Sequence, residues 1–296
     1  MVPADGPIAS GRRSPMTMYI AATLKELTRK RVFLVTLIIT LIFLILFALG
    51  VREMAGLNGL DAASPAERLL NGMVLMVLGL FFAQFLAAFF VLFSSMGTIT
   101  GEQENGLLLA VAARPIPRWR LFTAKWLGHA VWIAVYSSAL FLAIALTLHT
   151  QAHLPLLAGY LLRGWLLFMW MPLLLLTLTM LGSVYLPMLG NGIFAALLYG
   201  FSLFNGLVEG ISVYGGVHPV IQKFNFLIGL LLPTDSIYRR SLYEVLGGAD
   251  WAGLAIGDMG PFSMNSIPSN AFLLYTVGYA IVLLLLGCRA FGRKDL

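Results

Sequence analysis

The chain has 296 residues, of which 59% are apolar and only 11% are charged. A soluble domain carries about 25% charged residues, so this chain could not cover its own surface in water, and lipid must surround most of it. The net charge of +6 comes from basic residues at the ends of apolar runs. Such residues orient a membrane protein, and we therefore expect no nucleic acid partner.

Residues 1–31 form a polar lead before the first apolar run. Ser14 and Pro15 are typical of a helix start, and Ile20, Leu24 and Leu27 then recur at roughly helical spacing. This pattern predicts an amphipathic helix lying in the membrane interface. The alternative is a plain extension of the first span into the cytoplasm, since short windows are ambiguous.

Six apolar stretches are about as long as the 20 residues that a transmembrane helix needs. The fourth and fifth meet near Pro187 and could form one long bent helix, but together they have about twice the length that one span requires. We therefore predict an all-α integral membrane protein with about six transmembrane helices in residues 32–296. The stretches are Val32–Val51, Gly72–Ser95, Trp126–Leu148, Gly164–Gly182, Val184–Val208 and Ala271–Cys288.

The basic residues predict the orientation. Residues 1–31 hold six Lys and Arg, residues 96–125 hold four and residues 289–296 hold three, which makes 13 of the 19 in the chain. The segments on the other side hold the remaining six. Lys and Arg accumulate on the cytoplasmic side, so both termini should be cytoplasmic and residues 209–270 external.

The external region is irregular. Phe224–Leu232 is an apolar run too short to span a membrane, which is typical of a re-entrant or interfacial segment. Residues 236–246 could form a short amphipathic helix, and glycines and prolines interrupt the remainder.

Catalytic and metal-binding signatures are absent from the sequence. It has no Gly-x-x-x-x-Gly-Lys-Ser/Thr phosphate loop, so we expect no ATP binding by that route and no enzyme activity in this chain. It also lacks paired-cysteine and His-Glu-x-x-His metal sites. Gln84 is the one strongly polar side chain in the second span. It could hydrogen-bond between helices or line a substrate path.

The connection between the second and third spans, residues 98–125, is the most informative stretch. It opens with acidic residues, continues with a short apolar run, and re-enters the membrane through a Pro-containing turn and a basic, aromatic segment. Acidic residues in a first turn suit a helix dipole. We expect a short cytoplasmic helix whose apolar side needs a partner, either the bilayer or another protein.

This loop resembles the coupling region of ABC-2 type permeases, which often have Glu-x-Glu-x-Gly, leucines, Arg-Pro-(Ile/Val)-Ser-Arg-Trp and a downstream Lys. The chain departs from this pattern at Pro117, where Ser is usual. Its basic lead Leu27–Arg31 and its ending Phe291–Leu296 resemble the family too. The matching loop positions are Glu102, Glu104, Gly106, Leu107, Leu108, Arg114, Pro115, Ile116, Arg118, Trp119 and Lys125.

The resemblance implies a permease subunit of an ABC exporter in a prokaryotic plasma membrane. Two copies of a cytoplasmic ATPase, which bind the ATP and Mg, would dock beneath the loop and contact its matching residues. A second permease chain, identical or a paralogue, would complete an outward path. The resemblance leaves the substrate open.

Three other classes compete with this interpretation. An ion-coupled secondary transporter usually has buried ionisable residues, and the predicted spans carry none at mid-depth. An intramembrane enzyme would need a nucleophile–base or metal constellation, which is not apparent. A membrane scaffold that recruits a cytoplasmic partner through residues 98–125 is the third.

Overall fold

The computed structural model describes residues 15–57, 64–101, 117–215, 219–247 and 267–293. All regular secondary structure in these ranges is helical, as the composition predicts. The helices are α1 (Pro15–Arg29), α2 (Arg31–Leu57), α3 (Pro65–Ser95), α4 (Arg118–Gln151), α5 (Ala158–Tyr185), α6 (Met188–Gly215), α7 (Pro219–Leu231), α8 (Thr234–Val245) and α9 (Asn270–Arg293).

Six of these helices are long and apolar enough to cross a membrane. At 1.5 Å per residue, even the shortest candidate of 21 residues extends about 31 Å, which matches the roughly 30 Å hydrocarbon core. The prediction of about six spanning helices is therefore confirmed. The candidate spans are Arg31–Met54, Ala66–Ser95, Arg118–Gln151, Ala158–Tyr185, Met188–Val208 and Asn270–Arg293.

The fourth and fifth spans are separate helices, as predicted. α5 ends at Tyr185, Leu186 has an extended backbone, and α6 begins at Met188 directly after Pro187. Proline cannot continue the preceding helix because it lacks the backbone N–H and its ring disfavours a helical residue before it. Pro172 lies within α5.

Helix α5 is the centre of the bundle, with contacts to α3, α4, α6, α8 and α9. Its residues Leu174, Leu176 and Met180 are almost fully buried. By contrast, the leucine and isoleucine side chains of α2 remain about half exposed. Exposure of that kind costs nothing in lipid, which is as apolar as the side chains themselves.

The start of α3 is fixed by a capping box. Ser64 Oγ accepts from Glu67 N at 3.3 Å, and Glu67 Oε2 accepts from Ser64 N at 2.9 Å. Two backbone donors that a helix start leaves unpaired are thereby satisfied. Pro65 follows the cap at the first helical position, where it loses no hydrogen bond.

The membrane faces of the bundle can be told apart by their connections. One face, here called the loop side, carries α1, the ends of the 102–116 segment, the α5–α6 join and the end of α9. The other, here called the hairpin side, carries the end of α2, the start of α3, the α4–α5 connection and the ends of α6 and α8. The Arg118 Nη1–Gly292 O contact, at 3.5 Å, places the start of α4 beside the end of α9 on the loop side.

Helices α7 and α8 form a hairpin, with 13 and 12 residues. Both are too short to span the membrane. The hairpin turn rests against the middle of α6, where Ser202 Oγ donates to the Leu232 carbonyl at 3.0 Å and accepts from Thr234 Oγ1 at 2.7 Å. The segment predicted as re-entrant or interfacial is thus one arm of a hairpin that turns inside the bundle.

The carbonyls at the end of α7 are also satisfied. Tyr275 and Tyr279 of α9 donate from their hydroxyls to the carbonyls of Leu230 and Leu231, both at 2.8 Å. A helix end within a membrane has no water to pair its last carbonyls, so side chains from neighbouring helices must do so.

Candidate coupling site

Most of the loop positions that match the family pattern lie outside the described residues. They are Glu102, Glu104, Gly106, Leu107, Leu108, Arg114, Pro115 and Ile116. The structure describes the chain on both sides of that segment, up to Gly101 and from Pro117. The roots of the loop, including the predicted residues Arg118, Trp119 and Lys125, can therefore be described in detail.

The first root is the end of α3, where the helix stops at Ser95 and a turn follows. Lys125 Nζ donates to the Thr98 carbonyl at 3.2 Å. The His129 Nε2 lies 3.2 Å from the Ser94 carbonyl and 3.2 Å from Thr98 Oγ1. Both side chains come from α4 and are buried. They pair carbonyls that the end of a helix would otherwise leave without partners.

Asn191 completes this arrangement from α6. Its Nδ2 donates to the Met96 carbonyl at 2.9 Å and to the Thr179 carbonyl of α5 at 3.0 Å. An amide has two N–H donors, so one fully buried side chain joins α3, α5 and α6. We call Lys125, His129 and Asn191, with the carbonyls of residues 94, 96 and 98, the carbonyl clamp.

Two glycines allow the clamp to form. A Cβ on Gly97 would lie 2.8 Å from Met188 Sδ, so the Met188 side chain at the start of α6 packs directly on the backbone after α3. A Cβ on Gly182 would collide with Asn191 Oδ1. Because glycine has no Cβ, the Asn191 side chain can lie against α5 and reach both of its carbonyl partners.

The second root is the start of α4. Arg118 is half-buried and donates to the Gly292 carbonyl of α9. One turn later, Phe122 is buried against Phe291, with ring centroids 6.3 Å apart. Trp119 is 50% exposed, with the Arg120 guanidinium 5.3 Å from its ring centroid. The exposed aromatic and basic side chains at this root are thus carried on a helix that α9 holds in place.

Helix α1 is docked on α4, beside the clamp. Trp132 Nε1 donates to the Leu24 carbonyl at 3.1 Å, and a Cβ on Gly128 would lie 2.7 Å from Thr23. Leu27 is 2% exposed. The predicted amphipathic helix therefore packs its apolar side against the protein, in direct contact with α4.

The opposite side of α1 carries an ion pair. Glu26 Oε1 lies 3.0 Å from Lys30 Nζ. Burial alone would raise the pKa of Glu26, but the charge and hydrogen bond of Lys30 outweigh it, and the field of Lys125 helps to lower that pKa below its usual value.

Gln84 is 1% exposed, and neither its amide nitrogen nor its amide oxygen has a hydrogen-bond partner among the described residues. The described residues therefore provide no interhelical hydrogen bond for Gln84, and that role stays a prediction. Burying an amide that has no hydrogen-bond partners costs about 1–3 kcal/mol of folding free energy. The alternative role, a lining of a substrate path, stays a prediction.

A buried ion pair in the hairpin is the feature that sequence analysis missed. Asp235 Oδ2 lies 3.0 Å from Arg239 Nε, and the two side chains are 11% and 10% exposed. The Asp235 carboxylate rests directly on Gly206 of α6, where a Cβ would collide with it. Sequence analysis places both residues in an external segment. Their i, i+4 spacing is the one signal that could have paired them.

Helix α8 carries two further charged side chains, Arg240 and Glu244, towards its end on the hairpin side. Glu244 Oε1 lies 2.7 Å from Arg240 Nη2, and Glu244 Oε2 lies 3.8 Å from Arg163 Nη1 of α5. Arg240 also donates to the Pro268 carbonyl at 2.8 Å and to Asn270 Oδ1 at 2.9 Å. These contacts join α8 to α5 and to the start of α9.

The described residues contain no group of three or more metal-ligating side chains. His149, one of the two histidines at the end of the third span, uses Nδ1 in a 3.2 Å contact with the Leu154 carbonyl.

Comparison with known proteins agrees with this geometry. The family model described as ABC-2 family transporter protein matches residues 20–296. No protein of curated function matches the chain. The matched range includes α1 from residue 20 onward, both roots of the loop and all six candidate spans. The chain therefore belongs to the ABC-2 transporter family, as a multi-pass membrane permease component of an ABC transporter, and permeases of this family generally associate with an ABC ATPase subunit.

Proposed function

We propose that this chain is the membrane-spanning subunit through which a cytoplasmic ATPase drives a substrate outward across a prokaryotic plasma membrane. The ATPase docks beneath residues 98–125, and it supplies the ATP and Mg sites that this chain lacks in sequence. The observation that carries the proposal is the carbonyl clamp, because it joins the loop root to four transmembrane helices, α3, α4, α5 and α6.

The clamp favours force transmission for a physical reason. Lys125 and His129 lie on α4, which follows the loop, and they pair carbonyls at the end of α3, which precedes it. Buried polar groups must keep their partners, since an unpaired one costs about 1–3 kcal/mol. A push on the loop therefore moves α3 and α4 together, and Asn191 extends that movement to α5 and α6.

Orientation follows from charge. The loop side carries 13 of the 19 Lys and Arg residues, and the cytoplasmic side is the one enriched in them. Cysteine labelling in a Cys288→Ser background tests this. We expect Ser263→Cys to react with an impermeant maleimide in intact cells and Ser14→Cys to react only after lysis. If Ser263→Cys reacted only after lysis, the orientation would be the opposite of the one proposed.

We further propose a working unit of two permease chains and two ATPase chains, with the second permease either identical or a paralogue. Six spans in one chain would supply half of the path. Purification of the tagged chain from its native membranes, followed by native mass measurement, tests this. We expect an ATPase in a 2:2 ratio with permease. A lone chain with full transport activity would contradict the proposal.

Ion-coupled transport is the second candidate, because the Asp235–Arg239 pair places ionisable groups inside the bundle. The two candidates differ in their energy source. Transport that persists in ATP-depleted vesicles under an imposed ion gradient would favour ion coupling. Transport that requires ATP and persists after the gradient is collapsed would favour the ATPase-driven mechanism.

A further inference from the structure

A cavity of about 580 Å³ opens on the hairpin side, far from the carbonyl clamp. Its walls come from the start of α3, the α4–α5 connection and the end of α8. Protein pockets that hold small organic molecules commonly have volumes of about 300–1,000 Å³. The cavity is therefore large enough for a ligand, and exposed residues at its rim, such as Leu157 at 66% exposure, show that it opens to the surroundings.

The lining is graded from basic to apolar. Arg68, near the beginning of α3, and His153, in the α4–α5 connection, lie among the wall residues. Met76 lies eight residues after Arg68 on α3 and is fully buried, and Met73 lies between the two. At 1.5 Å per residue, the wall runs about 12 Å from the Arg68 level to the Met76 level. The polar end lies at the membrane surface and the apolar end deeper.

Each end suits one part of an amphiphile. The Arg68 side chain already interacts with another group of the chain. A guanidinium has five N–H donors, however, so it can bind an anionic group as well. Methionine side chains are unbranched and adapt to irregular apolar groups. His153 lines the cavity and is exposed, which places it at the rim.

We propose that this cavity binds an anionic amphiphile taken from the membrane leaflet on the hairpin side, with its charged group at Arg68 and an acyl chain against Met73 and Met76. The occupant is a lipid-like molecule rather than a free anion, because most of the wall below Arg68 is apolar. The cavity also includes Val245 and Leu246 at the end of α8, so the bound molecule contacts the hairpin. This site is independent of the ATPase coupling proposed above.

The detergent-solubilised full chain is titrated with two phospholipids that have the same acyl chains, anionic phosphatidylglycerol and zwitterionic phosphatidylcholine. Native mass spectrometry then counts the lipids bound to each chain. We expect one phosphatidylglycerol to bind about tenfold more tightly than phosphatidylcholine, because charge-assisted hydrogen bonds are the stronger ones. Arg68→Gln should remove that difference. Arg52→Gln is the matched control, since Arg52 is an exposed cation on the same side that does not line the cavity.

Two further arms keep the proposal falsifiable. Leu69→Trp, which fills the cavity from a half-buried wall position, should weaken phosphatidylglycerol binding without changing the thermal unfolding temperature. Glycerol 1-phosphate, the headgroup chemistry without acyl chains, should not compete. Equal binding of both lipids, an equal effect of Arg52→Gln and Arg68→Gln, or competition by glycerol 1-phosphate would each overturn the assignment.

Discussion

Lys125 and Thr98 are joined by a hydrogen bond, from Nζ to the carbonyl oxygen at 3.2 Å, across the base of the loop that separates them in sequence. Lys125 is 8% exposed. A buried ammonium needs hydrogen-bond acceptors to offset its lost hydration, and the Thr98 carbonyl, just after the end of α3, supplies one. This pairing closes the loop at its root.

The first prediction removes that closure. Lys125→Met keeps the length and apolar part of the side chain but has no donor, so the Thr98 carbonyl loses its partner. We expect the variant to insert and bind the ATPase, with transport per ATP hydrolysed reduced about tenfold, because the loop root no longer moves α4. Lys223→Met, at an exposed position of α7, is the control and should leave coupling unchanged. Equal coupling in the two variants would contradict the role of the clamp.

The second prediction is a double-mutant cycle across α5 and α6. Gly182→Ala presses a methyl group onto Asn191, which should cost about 1–3 kcal/mol, and Asn191→Ala removes the amide that donates to the Met96 and Thr179 carbonyls. In the double variant the added methyl group no longer meets the amide. We therefore expect an unfolding free-energy loss at least 0.5 kcal/mol smaller than the sum of the single losses, on the order found for residues in contact. Additive losses would contradict the packing.

The third prediction concerns the ion pair of the hairpin. Arg239→Met leaves the Asp235 carboxylate without its main partner inside the bundle, and breaking a buried pair costs about 3–5 kcal/mol. Asp235→Asn combined with Arg239→Gln removes both charges and should recover at least half of that loss. Unfolding in mixed micelles measures both, with Arg52→Met as an exposed control. A double variant as unstable as Arg239→Met would show that the charges do not pair.

The fourth prediction concerns pH. The pKa of Glu26 is below its ordinary value of 4.5, so the ionised form is the one that the folded chain favours, and the stability it contributes is present above pH 4.5. That contribution is lost as the pH falls through the lowered pKa of the folded state. Glu26→Gln should therefore unfold at a lower temperature than the natural chain at pH 7, and the difference should disappear at pH 3. A difference that grows on acidification would contradict the Glu26–Lys30 pairing.

The spans could be predicted from the sequence because their signal is local. A run of about 20 apolar residues needs no knowledge of neighbours to be identified as a membrane helix, and Pro187 marks the break between α5 and α6 in the sequence itself. The same is true of α1, whose apolar spacing is visible, although its docking on Gly128 of α4 is not.

The clamp and the hairpin interior could not be predicted in this way because they depend on long-range packing. Asn191 looks like an ordinary polar residue near a helix start until α3 and α5 bring the Met96 and Thr179 carbonyls to it. Asp235 and Arg239 lie in a segment of mixed composition, and only the hairpin turn on Ser202 carries them inside the bundle. The carbonyl partners of Asn191 lie 95 and 12 residues away in the chain, and Ser202 lies 33 residues from Asp235.

The central claim is that residues 98–125 couple this permease to its ATPase. Leu107→Ala with Leu108→Ala should weaken ATPase binding, since losing a buried apolar anchor at an interface typically costs on the order of 2 kcal/mol. Glu102→Ala removes a charge from the same loop and should cost little if that charge lies at the interface rim. Neither change touches the spans, so both variants should insert normally.

The most direct measurement compares three permease chains, the natural chain, the double-leucine variant and Glu102→Ala, each purified with its ATPase from membranes that contain equal amounts of permease. For each complex, the amount of retained ATPase and the rate of ATP hydrolysis are measured. The account predicts at least a tenfold loss of retained ATPase, and of the hydrolysis that the permease stimulates, in the double-leucine variant, with Glu102→Ala close to the natural chain. Unchanged retention and unchanged stimulation in the double-leucine variant would show that this loop is only a connector, and would contradict the account.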